Sequence, residues 1–260
     1  MSEDKPTYEE LRARVADLEK QHETERSYVA NLEKLVTVRT EQLRQTTVDL
    51  ERAYDITLEG LGDALDLKDA ETEGHSKRVT AFTIAMARAM SLPGNKIRVI
   101  ARGAFLHDIG KMAIPDSILR KPGDLTQEEI AIVQEHCYRG YQMLRKIPFL
   151  SEAADIVYCH EEKWDGTGYP RGLKGEEIPL GARIVAAAET FDAITSDQPY
   201  RTARSFSAAC EVINRGSGRQ FAPGIVKVFL TIPESIWHSL RKEIDQQIYR
   251  YQVKEEGNRS

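Results

Sequence analysis

Four histidines of this chain have acids for neighbours. Glu71 precedes His75 by four residues, His107 is followed by Asp108, His136 follows Glu135, and His160 is followed by Glu161 and Glu162. Imidazoles and carboxylates in such company suit a divalent cation, since both offer it lone pairs and a carboxylate in an apolar segment is costly to bury alone. "FLHDIGK" is such a segment, expected inside an apolar helix, and Lys111, one helical turn beyond His107, can point a positive group toward an anion held there. "RIVAAAETFDAITS" adds Glu189 and Asp192, acids three residues apart that want a metal, an arginine or each other. Each feature taken singly also has a plain reading. His107 and Asp108 could be a buried hydrogen-bonded pair, Gly74 weakens the case for one helix carrying both Glu71 and His75, and His22 and His238 suit structural or solvent roles.

The stretch "CHEEKWDGTGYPRG", Cys159 to Gly172, sets His160 directly before a loop of glycines with Trp164 and Tyr169. Glycines let backbone turn sharply close to a ligand, and a tyrosine offers a flat face on which a purine can stack. The loop therefore reads as the lip of a substrate site. Cys137 and Cys159 adjoin histidines, but successive helical residues point about 100° apart, so both are expected to face away as small core residues.

Helices must position these groups. From Tyr8 to about Tyr54 the chain is nearly free of glycine and proline, and a step of four and three from Leu11 runs through Val15, Leu18, His22, Glu25, Val29, Leu32, Val36, Arg39, Leu43, Thr46 and Leu50; eight of the twelve positions are apolar. So narrow a stripe suits a parallel coiled-coil dimer, with a helix folded back on its own domain as the alternative. Beyond it, segments of three-to-four periodicity alternate with breakers such as Pro93-Gly94, Pro122-Gly123 and Pro148. The expected fold class is all-α: an N-terminal coiled-coil helix over 1–56, a helical bundle over 57–235 and a helical tail over 236–260.

The 260 residues are 41% hydrophobic and carry a net charge of −5, which argues against a binder of nucleic-acid polymers or anionic membranes. Three scattered cysteines, no apolar run near the roughly 18 residues that span a bilayer, and an acidic start unlike a signal peptide suit a soluble cytoplasmic protein.

The combination "HDIGK", "IPDSILRKPGDLTQEE", "WDGTGYP" and "FDAITSDQPYR" resembles the HD-GYP family, a bacterial branch of the HD metal-dependent phosphohydrolases, over about residues 57 to 232. The resemblance implies an HD-type helical bundle, two or three divalent ions (commonly iron or manganese), and hydrolysis of cyclic di-GMP to pGpG or GMP. Carried over by motif, the metal ligands fall on Glu71, His75, His107, Asp108, His136 and His160, with Asp108 bridging. Lys111 matches the lysine beside the scissile phosphate, and Tyr169 with Pro170 completes the signature loop. Three positions depart from the family pattern. Glu161 stands where a second histidine is usual, Glu189 where a metal-binding aspartate is usual, and Gln198 where an arginine is usual. Glu161 and Glu189 still offer oxygen ligands to a hard cation. Gln198 removes a positive group, and Arg201 is a candidate phosphate clamp, with a surface salt bridge as its alternative. The competing reading is a module that binds cyclic di-GMP or a signalling partner protein without turnover and signals through the coiled coil.

Overall fold

The computed structural model of the protein describes residues 6–68, 74–197 and 202–257, with the side chains of 63, 66, 67 and 247–257 left aside. Glu71, Gln198 and Arg201 lie outside the described residues. The chain divides into two units, Met1–Thr57 and Leu58–Ser260.

The first unit belongs to α1 (Tyr8–Lys68). Its start is capped by Thr7, whose hydroxyl accepts from Glu10 N while the Glu10 carboxylate accepts from Thr7 N. The eight apolar residues of the stripe are all exposed, Leu32 least at 41% and Leu43 most at 69%.

In the second unit the end of α1 is followed by α2 (His75–Ala89), α3 (Gly94–Phe105), the short α4 (Asp116–Leu119), α5 (Gln127–Leu144), α6 (Ser151–Cys159), α7 (Leu180–Thr195), α8 (Phe206–Arg215), α9 (Pro223–Thr231) and α10 (Glu234–Gly257). Among the described residues no strand occurs, as the periodicity requires. Boundaries follow local chemistry. Thr126 and Glu129 form a reciprocal capping box that starts α5, Pro223 opens α9, and Gly74, in the left-handed region at φ 78°, precedes His75.

Two apolar clusters hold the bundle. The larger centres on Phe82, Phe191, Phe229 and Trp237, with ring centroids 4.9 to 5.5 Å apart. It joins α2, α7, α9 and the inner end of α10. The smaller, with Leu58, Leu106, Ile109, Leu144 and Val157, packs α1, α5 and α6 around the turn after α3. That turn demands glycine at 110: a Cβ there would overlap the His136 carbonyl oxygen and lie 2.7 Å from Gly140 N. Gly110 thus lets the segment carrying His107, Asp108 and Lys111 lie directly on the helix carrying His136.

Candidate metal centre

The functional side chains come from the ends and inner faces of separate elements. His75 opens α2, His136 lies within α5, and His160 caps the C-terminus of α6. His107 and Asp108 are not inside a helix, as the apolar context suggested. α3 ends at Phe105, and both residues sit in the turn before a 3-10 segment, Ile109–Ala113. Lys111 is aimed by that segment, its Nζ 2.8 Å from Asp108 Oδ2.

Three histidines share one local device. His107 Nδ1 lies 2.8 Å from Ala104 O, His136 Nδ1 2.7 Å from Val133 O, and His160 Nδ1 2.8 Å from Val157 O. A carbonyl oxygen only accepts, so each Nδ1 donates, and in the neutral ring each Nε2 presents a lone pair. Those lone pairs converge on Asp108. His107 Nε2 is 3.0 Å from Oδ2, while His136 Nε2 and His160 Nε2 are 3.4 and 3.8 Å from Oδ1 and 3.2 Å from each other. Acceptors facing acceptors in a buried place repel unless a metal ion or a shared proton lies among them. His107 Nε2 is buried and makes no hydrogen bond of good geometry although Asp108 Oδ2 is close. The donor set therefore fits a divalent ion.

His75 completes the cluster from the other side, its ring centroid 5.4 Å from that of His107. One donor atom from each of His75, His107 and Asp108 lies within 4.8 Å of the others, and the same holds for His136, Cys137 and His160. His75 Nδ1 is taken by Asp192 Oδ2 at 2.9 Å, which turns Nε2 toward the cluster. Asp192 also accepts from Arg78 Nε at 2.7 Å and Nη2 at 3.1 Å, Ser196 Oγ at 3.1 Å and Arg241 Nη2 at 3.1 Å. Of the two acids on α7, Asp192 takes the arginines and Glu189 faces the centre.

Glu161 and Glu189, both half-buried, line a cavity of about 220 Å³ with His160, Lys163, Thr190 and Gln220. Burial and the Glu161 carboxylate push the Glu189 carboxyl up to about 8. Burial alone would lower the His107 imidazole, but the Asp108 carboxylate outweighs it and lifts His107 to about 9. Asp108 is raised by burial yet held well below the ordinary carboxylate range by His107 and Lys111. His160 is driven down by burial and by the neighbouring His107 and His136, so it stays neutral.

The glycine-rich loop reaches the centre through Tyr169. Its ring meets His136 edge-on at 6.4 Å, and burial with a hydrogen bond to Glu161 holds the phenol protonated. The hydroxyl end, more than the open ring face, is what Tyr169 turns toward the acids. Trp164 does not join the lip. It packs on the larger core cluster with the Arg183 guanidinium 5.8 Å over its ring. Glu162, also buried, shapes the loop by accepting from Arg171 N at 2.7 Å and Leu173 N at 3.0 Å. Cys159 lies in the core cluster and Cys137 is fully buried, as expected of small core residues, but Cys137 does not face away from the histidines. Cys137 Sγ is 3.4 Å from His136 Nε2, the nitrogen left free by the Nδ1 bond to Val133 O.

Arg78 and Arg241 escaped the sequence reading, and Glu162 was noted only as an acid beside His160, without its part in the loop. Arg78 alone left a signal, a charge three residues after His75 on the face that continues to Phe82 and Met86.

Comparison with known proteins agrees with this geometry. The HD domain family profile matches residues 60–225. A cyclic di-GMP phosphodiesterase of Thermotoga maritima is 36% identical over 227 residues, covering 86% of this chain and 62% of its own length. A 3'3'-cGAMP-specific phosphodiesterase 3 of Vibrio cholerae is 38% identical over 170 residues, covering 65% of this chain and 37% of its own. The chain thus spans less than two thirds of these curated relatives. Among solved structures, the cyclic GMP-AMP specific phosphodiesterase V-cGAP3 of V. cholerae superposes with a TM-score of 0.58 at 22% identity, over 74% of this chain and 52% of that one, a likeness of fold. With its HD pair, its converging histidines and its GYP loop, the chain belongs to the HD domain family, in the HD-GYP branch.

Proposed function

We propose that the chain hydrolyses a phosphodiester of a cyclic dinucleotide, cyclic di-GMP first among them, in a metal-dependent reaction yielding pGpG or GMP. The observation that carries this reading is the convergence of the His107, His136 and His160 Nε2 lone pairs on Asp108, each ring pinned through its Nδ1. His75, His107 and Asp108 would hold one divalent ion, and Asp108, His136 and His160 another, with Glu161 and Glu189 as oxygen ligands at the cavity side and Glu71 assigned by motif. Iron or manganese suits this mixture of imidazole and carboxylate. Such ions supply charge neutralisation at the phosphoryl oxygens and an acidified water.

The remaining work falls to side chains of this chain. Asp108 concentrates negative charge where cations must sit, and Lys111 places a partly exposed ammonium beside it for a phosphoryl or departing ribose oxygen. Tyr169 stays protonated and so can donate a hydrogen bond at the mouth. Arg201 is assigned as a phosphate clamp by motif alone. Lys111→Met is expected to lower kcat by about 10²- to 10³-fold, the effect of losing one preorganised charge donor, with metal content unchanged. A variant with parental kcat would remove Lys111 from the chemistry.

Metal binding must displace protons here, because metal-free His107 holds one up to about pH 9 and Glu189 up to about pH 8. Affinity for Mn²⁺ is therefore expected to rise with pH between 6 and 8, by up to about tenfold per pH unit for each proton released. Calorimetric titration in buffers of different ionisation enthalpy measures it, and a flat affinity contradicts it.

The exposed α1 stripe supports a homodimer through the N-terminal coiled coil, and sedimentation of the full chain as a monomer would end that part of the reading. No helix among the described residues is long and apolar enough to cross a membrane, and a cytoplasmic location suits the proposed substrate. The purified 260-residue chain with cyclic di-GMP, or 3'3'-cGAMP in parallel, and Mn²⁺ or Fe²⁺ is the direct assay. Binding of dinucleotide without turnover would replace the enzyme by a ligand-sensing module.

A further inference from the structure

The helix that follows the matched family segment reaches into the support of the metal centre. Trp237 anchors the inner end of α10, 2% exposed against Phe82, Phe191 and Phe229. Arg241 lies four residues further on, on the same face. Its side chain is 22% exposed, with the guanidinium 5.7 Å over the Phe82 ring. It donates to three groups of α7 and the residue that follows it: Asp192 Oδ1 at 3.1 Å, Thr195 Oγ1 at 2.6 Å and Ser196 Oγ at 3.0 Å. Ser196 Oγ in turn donates to the same Asp192 oxygen at 3.1 Å. The other Asp192 oxygen holds His75 Nδ1.

We infer that Arg241 is a positioning residue for His75, acting through Asp192, so that α10 helps set the affinity of the centre for its ion on the His75 side. Two features favour this over a simple staple of α10 to the bundle. A carboxylate can rotate about its last bond. Oδ1 is fixed by donors from α2, from Ser196 and from α10 at once, so the plane that presents Oδ2 to His75 depends on all three. Arg78 cannot fill the place of Arg241, because its own fork already spans both oxygens from the α2 side. The groups on the other side of the centre, His136 and His160, are pinned by backbone carbonyls, and among the described residues no such link joins them to α10. Loss of Arg241 should therefore weaken one ion and spare the other.

The inference rests on the reading of the cluster as a metal centre, and the test keeps the two apart. The 260-residue parent, Arg241→Met and Arg241→Lys are titrated with Mn²⁺, reading free Mn²⁺ by electron paramagnetic resonance, with thermal unfolding alongside. Loss of the group that holds a metal-binding histidine typically costs about 10–100-fold in metal affinity, so Arg241→Met, acting through Asp192, is expected to weaken one Mn²⁺ by about tenfold while the other stays within about twofold. Arg241→Lys, which keeps the charge, is expected to recover part of that loss. Parental affinity for every ion in Arg241→Met, even with a lower melting temperature, overturns the positioning role and leaves Arg241 a structural staple. Uniform weakening of all ions also overturns it. A parent that binds no Mn²⁺ overturns the metal-centre reading itself and this inference with it.

Discussion

Asp108→Ala is expected to bring bound divalent metal down to trace levels and to lower kcat/KM by about 10³-fold or more. Its two oxygens are the groups on which the His107, His136 and His160 Nε2 atoms and Lys111 Nζ converge. Without the carboxylate, the remaining donors are neutral imidazoles beside a lysine, and two cations brought close together would repel with little anionic charge between them. Lewis-acid stabilisation worth several kcal/mol is then lost, and each 1.36 kcal/mol is tenfold in rate. Metal analysis of the purified variant beside a turnover assay measures both effects. Parental metal content in Asp108→Ala would show that the ions sit elsewhere.

Asp192→Ala is expected to destabilise the second unit by about 3–5 kcal/mol, the cost of stranding buried charge once its partner is removed. Asp192 is fully buried, and Arg78, with a side chain only 4% exposed, loses both acceptors on that carboxylate. Against a total stability of about 5–15 kcal/mol this is a large fraction. Urea unfolding reads it as a lower midpoint at unchanged slope. The pH dependence has a definite sign. Burial would raise the Asp192 carboxyl, but the hydrogen bonds from His75 and Arg78 hold it far below its ordinary value. Its stabilisation is therefore fully present above the unfolded carboxylate value of about 3.9 and is lost as pH falls below that toward the folded value. Parent and Asp192→Ala should thus converge in stability only in strong acid. Equal stability of the two at neutral pH would contradict the network described.

Much of this was legible in the sequence, and the gaps have physical causes. The three-to-four periodicity and the Pro-Gly breakers disclosed a helical bundle, because burial of one face imposes that spacing on any helix. The four histidines and Asp108 were legible for a similar reason, since ionisable groups in apolar segments demand a partner. What could not be read was direction. His107 and Asp108 were expected on a helix, and the chain leaves the helix two residues earlier to bring both into one turn against α5. Cys137 was expected to face away, and its thiol instead lies beside His136 Nε2 at the edge of the centre. Glu189 and Asp192 were both recognised as acids in need of company, but only the rotation of α7 decides that Asp192 meets arginines while Glu189 meets the cavity. Arg241 acts across 49 residues of sequence, and no local pattern marks such a contact.

Anomalous diffraction from Mn²⁺-loaded crystals of the full chain tests the central claim most directly. The account expects manganese peaks within bonding distance of Asp108, one shared with His136 and His160 and one with His75 and His107. Peaks confined to surface acids, with the space around Asp108 filled by a hydrogen-bonded His107–Asp108 pair and no ion, would contradict it.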